Sequence, residues 1–186
     1  MKTEIAFSNS ASSPMLLELM RKCGVETPPS EFITEVSNIY HEIEAPLYDS
    51  GAGHREMATR VTPIIHQFGN LIHPAEICVL DVGCGTGFAS STLLENHSLN
   101  IRRLVCGDIS PHMLQICRAK LGPRPNVECV QGDIESLSRK FSSFDVVMSC
   151  SVVHHVPDLP SFYKHVKKLV SPGGFYMMLH EPSRRF

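Results

Sequence analysis

Carboxylates and glycines recur at short, regular intervals through the second half of this chain. Leu80-Asp81-Val82-Gly83-Cys84-Gly85-Thr86-Gly87 places an acid before three glycines at alternate positions. Glycine there lets the backbone approach a ligand closely and accepts positive φ where the turn demands it. Asp108 follows 21 residues after Gly87, where a carboxylate can accept both hydroxyls of a ribose. Asp133, in Gly132-Asp133-Ile134, can accept from an exocyclic amine such as that of adenine. Both acids also have a plain reading as turn residues. His154-His155 is a candidate general base, because histidine titrates near neutrality; a helix-start or packing role is the alternative. His180-Glu181 is a second such candidate.

Spacing narrows the ligand. A dinucleotide fingerprint reads G-x-G-x-x-G against a pyrophosphate, whereas glycines 83, 85 and 87 read G-x-G-x-G with the bulky Phe88 next. The acid at Asp81 would repel a pyrophosphate and attract a cation. The pattern therefore points to a nucleoside that carries an amino acid and a positive centre.

These groups need a scaffold that gathers them. From residue 76 the chain alternates strand and helix: strands are expected at Ile77–Asp81, Leu104–Asp108, Val127–Gln131, Phe144–Ser149 and Phe175–His180. Helices are expected at Gly87–Asn96, from Pro111 to a stop at Gly122, at Glu135–Phe141 and at Leu159–Val170, with Ser171-Pro172-Gly173-Gly174 as a turn. Such alternation predicts an α/β fold, a doubly wound, mainly parallel sheet whose strand C-termini share one ligand-binding edge.

Ahead of the sheet, residues 1–13 read as a flexible tail and residues 14–70 as a helical cap, with the ligand-binding domain over 71–186. One helix runs from Ser13-Pro14 to Gly24. A second carries Phe32, Val36, Ile39, Tyr40 and Ile43 on one face. A third carries Met57, Val61, Ile64, Ile65 and Phe68, with Pro63 expected to kink or break it.

Composition excludes several classes. A net charge of −2 with no long basic block argues against nucleic acid. No apolar run reaches the roughly 18 residues of a membrane span, and the polar N-terminus lacks the apolar region of a signal peptide. A soluble, cytoplasmic protein is expected. The seven cysteines form no C-x-x-C pair, so reduced structural thiols are expected, with no metal.

Taken together, the chain resembles the class I S-adenosylmethionine-dependent methyltransferases of the small-molecule methyltransferase-domain type. Residues 80–87 are similar to the first motif of that family and Gly107 to Leu114 to the second. Gln131-Gly132-Asp133-Ile134, Phe144-Asp145-Val146-Val147 and Leu169 to Gly174 are similar to the third, fourth and fifth.

The resemblance implies a Rossmann-like methyltransferase fold with S-adenosylmethionine as cofactor. Asp81, Gly83, Cys84, Gly85 and Gly87 would pass under its methionine portion. Asp108 would hold the ribose, Ile109 and Met113 would flank the adenine, and Asp133 and Ile134 would meet its edge. Ser149 would lie near the sulfonium. Tyr40 and Tyr48 resemble lid residues. The reaction implied is methyl transfer to oxygen, nitrogen or carbon of a small-molecule acceptor, with His155 or His154 as base. A binding or regulatory module without activity is the alternative, and a nicotinamide-dependent oxidoreductase is disfavoured by the glycine spacing. Family members usually continue past the fifth strand, so the C-terminal strands are expected to be missing here. That leaves an edge for the N-terminal helices or a second copy of the chain to cover.

Overall fold

The computed structural model describes residues 14–28, 32, 35, 36, 39, 40, 43–71 and 76–181. The expected tail lies outside them. The chain divides into two compact units between Tyr40 and His41. In the first, α1 spans Pro14–Lys22 and ends at Gly24 with φ 66°. The second expected helix is described only in part, and its residues 32, 35, 36, 39 and 40 are helical.

The second unit opens with a 3-10 turn, Ala45–Ser50, and α2, Ala52–Leu71. Strand and helix then alternate: β1 Ile77–Val82, α3 Phe88–Glu95, β2 Ile101–Asp108, α4 Pro111–Leu121, β3 Val127–Gln131, α5 Ile134–Lys140, β4 Phe144–Cys150, a 3-10 turn Val153–His155, α6 Leu159–Leu169 and β5 Val170–Leu179. The sheet order is β3-β2-β1-β4-β5, and every pairing is parallel. Among the described residues no helix is long and apolar enough to cross a membrane.

Helix signals in the sequence have concrete partners. Ser110 caps α4 by accepting from Met113 N, Asp133 caps α5 through Ser136 N, and Asp158 caps α6 through Ser161 N. The central strand β1 is buried along its whole length, so its apolar run serves two cores. On one face Val79, Leu104, Cys106 and Met148 meet Val61 and Ile65 of α2, Leu93 of α3, and Leu114 and Cys117 of α4. On the other, Leu80, Val105 and Val147 meet Phe162, Val166 and Leu169 of α6. The C-terminal ends of all five strands therefore share one edge, beginning with Asp81-Val82 at the centre.

Three local readings change. Of the kink or break expected at Pro63, the break does not occur: α2 continues through it, with Val61 and Ile65 on either side packed into the core. Strand β2 begins at Ile101, three residues early, as Ile101 and Arg103 pair with Ile77 and Cys78 ahead of its buried part, with Arg102 skipped between them. The turn expected at 171–174 lies inside β5 as a bulge: Val170 pairs with Phe144, and the next pair is Phe175 with Val146.

At that bulge Gly174 meets backbone. A Cβ added there would lie 2.7 Å from Asp145 O and 3.1 Å from Phe144 O. Gly174→Ala is expected to cost about 3 kcal/mol and to lower Tm by roughly 6–12 °C. Gly53→Ala on α2, where an added Cβ meets nothing within 4 Å, should leave Tm unchanged or raised. Thermal unfolding of both variants checks the pair. Equal Tm values would mean that β4 and β5 do not approach as closely as described.

Candidate functional site

The glycine turn is stapled to β2. Gly83 N and Cys84 N donate to Gly107 O at 2.7 and 3.0 Å. Gly85 N donates to Asp108 Oδ2 and Ser110 N to Asp108 Oδ1, both at 2.8 Å. Asp108 thus fixes the turn and the start of α4 together. The three glycines face different neighbours. A Cβ on Gly83 would lie 2.5 Å from Val152 Cγ2 and one on Gly87 2.8 Å from Cys117 Sγ, but one on Gly85 meets nothing within 4 Å. With φ at 53°, Gly85 is the open backbone surface of the cradle.

Beneath the turn, Asp81 is fully buried. Its Oδ2 accepts from Ser90 Oγ at 2.7 Å, while Oδ1 has no hydrogen-bond partner among the described residues. Burial pushes the carboxyl up to about 7, against the opposing hydrogen bond from Ser90. An unsatisfied buried acceptor costs on the order of 1–3 kcal/mol. A cationic donor would relieve it, so the residues present fit a ligand with an ammonium group.

The other expected contacts separate into two sets. Ile109 is exposed at the rim of the same edge, and Asp133 is exposed beside it. Burial acts to raise the Asp133 carboxyl, but the N–H and hydroxyl of Ser136 outweigh it and hold the group below its ordinary value. Ile134 is half-buried and packs toward the α6 side. Met113 and Ser149, by contrast, are buried. Ser149 Oγ lies 2.6 Å from Tyr176 Oη, whose own pKa burial raises to about 12. The side chains of Met113 and Ser149 therefore belong to the packing beneath the edge and present no open surface to a ligand.

Tyr48 sits in the 3-10 turn, half-buried, with its ring edge-on to His54 at 5.5 Å. His54 in turn meets the Phe88 ring at 5.2 Å. Burial raises the Tyr48 phenol first, with Glu44, Cys150, Asp49 and Asp108 adding to it. The phenol thus lies within electrostatic reach of Asp108.

This segment is pinned by residues that the sequence reading missed. Asp49 Oδ1 accepts from Thr86 Oγ1 at 2.6 Å, and Asp49 Oδ2 pairs with Lys120 Nζ at 2.6 Å. Lys120 Nζ also donates to Thr86 Oγ1 at 3.1 Å. Burial lowers the pKa of His54, against the opposing pull of Asp49 3.4 Å away. No local motif marks this network, because its members come from the 3-10 turn, the glycine turn and α4.

Past β4, His154 and His155 occupy a 3-10 turn with their rings 4.0 Å apart. Glu181 grips that turn. Its Oε1 accepts from Val152 N and Val153 N at 2.8 Å, and its Oε2 from His154 N at 3.2 Å, with His154 Nδ1 2.8 Å away. Ser151 and His180, both at positive φ without being glycine, join through Ser151 Oγ and His180 Nδ1 at 2.7 Å. The two histidine candidates thus converge on one site, and strained backbone of this kind collects where geometry is over-determined.

Burial acts to raise the Glu181 carboxyl, yet the His154 side chain and the three N–H groups bring it down to about 2, from an ordinary 4.5. Its stabilisation is complete above pH 4.5 and is lost as pH falls through 2. With the side chain 14% exposed, that amounts to about 3 kcal/mol. Glu181→Gln should remove this part of the acid dependence, as read by denaturant unfolding at a series of pH values. An unaltered pH profile would contradict the clamp.

A family model described as a methyltransferase domain matches residues 80–178, more than half of the chain. The chain belongs to this family. It is a class I S-adenosylmethionine-dependent methyltransferase domain, and its five-stranded parallel sheet with flanking helices is the Rossmann-like architecture of the solved neighbours. The malonyl-[acyl-carrier protein] O-methyltransferase of Halalkalibacterium halodurans is 28% identical over 138 residues, covering 72% of this chain and 50% of that protein. The ubiquinone biosynthesis O-methyltransferase of Erwinia tasmaniensis is 34% identical over 110 residues, 57% of this chain and 44% of that one. The crystal structure of the trans-methyltransferase CalH in complex with SAH, the demethylated cofactor, superposes with a TM-score of 0.54 at 27% identity, covering 63% of this chain and 35% of that one. The chain spans about a quarter to a half of the length of the curated relatives it matches.

Proposed function

We propose that the glycine-turn cradle binds S-adenosylmethionine and that the chain moves the cofactor's methyl group to oxygen, nitrogen or carbon of a small-molecule acceptor. The observation that carries this reading is the buried, unpartnered Oδ1 of Asp81 beneath the open backbone at Gly85. Asp81 receives the ammonium of the methionine portion. Asp108 accepts from the ribose hydroxyls while keeping Gly85 N and Ser110 N, since each carboxylate oxygen has a second lone pair. Ile109 flanks the adenine, Asp133 and Ile134 stand at its edge, and Tyr48 closes the near side. Met113 and Ser149 support this surface from within the fold.

The cofactor supplies a methyl group already activated on a sulfonium, so the protein's task is chiefly to position the acceptor. Where the acceptor carries a proton, His154 takes it. A bond from Nδ1–H to Glu181 fixes the tautomer that leaves Nε2 as the basic atom. His155, whose ring is tilted 43° to that of His154 at 4.0 Å between centroids, orients it.

Transfer of labelled methyl from S-adenosylmethionine into a small-molecule extract tests the activity. Labelled product should appear with the wild-type chain. For an acceptor that loses a proton, transfer should fall about 100-fold or more in His154→Gln, with cofactor binding retained. No transfer by a wild-type chain that binds cofactor would leave only a binding module, and full activity in His154→Gln would remove His154 from the chemistry.

A further inference from the structure

Cysteines 106, 117 and 129 lie on β2, α4 and β3, and nothing in their sequence spacing groups them. The fold does. Their Sγ atoms all lie within 4.8 Å of one another, with Cys117 and Cys129 at 3.9 Å. Three thiols from three separate elements thus meet directly behind the cradle, where Gly87 packs against Cys117.

We propose that Cys106, Cys117 and Cys129 form a binding site for one thiophilic divalent cation of the Zn²⁺ class. A zinc–sulfur bond of about 2.3 Å sets neighbouring sulfurs roughly 3.8 Å apart in a tetrahedron and roughly 4.0 Å apart in a trigonal plane. The 3.9 Å pair falls in that interval, and the remaining distances need to close by less than about 1 Å.

The surroundings suit sulfur ligation. Cys106 and Cys117 are fully buried. Binding exchanges three S–H bonds for three metal–sulfur bonds and releases three protons to solvent. The complex then carries one net negative charge, beside which the Arg118 guanidinium donates to Cys129 O at 3.2 Å. Cys129 is half-buried and lines an open depression with Arg118, Leu121, Arg124 and Val127, which gives an ion its way in.

The site is independent of methyl transfer, and so is its test. The reduced chain, stripped with a chelator, is titrated with Cd²⁺ while thiolate-to-metal charge-transfer absorption is followed. Saturation at one ion per chain is expected, with the band displaced by Zn²⁺, lost in Cys129→Ser and kept in Cys23→Ser. A wild-type measurement stands beside it in case the variant fails to fold. At free Zn²⁺ ten times its Kd, alkylation of Cys129 should slow about tenfold, and alkylation of the exposed Cys23 should not change. Absence of a stoichiometric band, a band that survives in Cys129→Ser, or Cys129 alkylation indifferent to Zn²⁺ would overturn the proposal.

Discussion

Asp108→Ala is expected to weaken the binding of S-adenosylhomocysteine by about hundredfold or more. Two effects combine. Both carboxylate oxygens accept backbone N–H groups, from Gly85 and from Ser110, and alanine releases the glycine turn and the start of α4 at once. Hydrogen bonds to a charged acceptor contribute about 1.5–3 kcal/mol each. The same substitution removes the proposed acceptor for the ribose hydroxyls. Asp108→Asn keeps one carbonyl oxygen and should fall between the two. Isothermal calorimetry reads all three proteins, with circular dichroism to confirm that the sheet persists. Affinity unchanged in Asp108→Ala would place the ligand elsewhere.

The second large effect is a pH dependence of cofactor affinity. In the free protein, burial raises the Asp81 carboxyl to about 7. A cationic ammonium at Oδ1 favours the ionised form, so binding below that pH must expel a proton. The dissociation constant for S-adenosylmethionine should therefore rise about tenfold for each unit of pH below 7 and level off above it. The sign follows from the direction of the shift: a carboxyl raised in the free state costs affinity where it is protonated, not where it is charged. Methylthioadenosine has no amino-acid portion and should bind with little dependence on pH across the same range. Asp81→Asn should flatten the profile for S-adenosylmethionine. A flat wild-type profile between about pH 5 and 7 would show that no charge on Asp81 is developed by the ligand.

What the sequence revealed and what it concealed divide along a physical line. The glycine turn, Asp108 and the cap at Ser110 are local features. Their chemistry is written in consecutive residues, and β1, which leads into the glycine turn, is buried along its whole length. The Asp49–Thr86–Lys120 network, the Glu181 clamp and the thiol cluster are tertiary, so no window of sequence contains them. Ser149 was placed by its position at a strand end, but its hydroxyl turns to Tyr176 on the neighbouring strand, and only the pairing of β4 with β5 decides that. Pro63 was read by its own missing N–H, whereas the packing of Val61 and Ile65 decided the course of α2.

These local and tertiary features meet at one place, the end of β1, where a buried acid lies under an open glycine turn. Titrating the ¹⁵N-labelled chain with S-adenosylhomocysteine and mapping the amide resonances interrogates that place directly. Saturable shifts are expected, centred on residues 81–87 and on Asp108 and Ile109 and extending to Asp133 and Ile134 and to the turn that carries Tyr48. Absence of saturable shifts, or shifts centred away from the glycine turn, would contradict a cofactor site there.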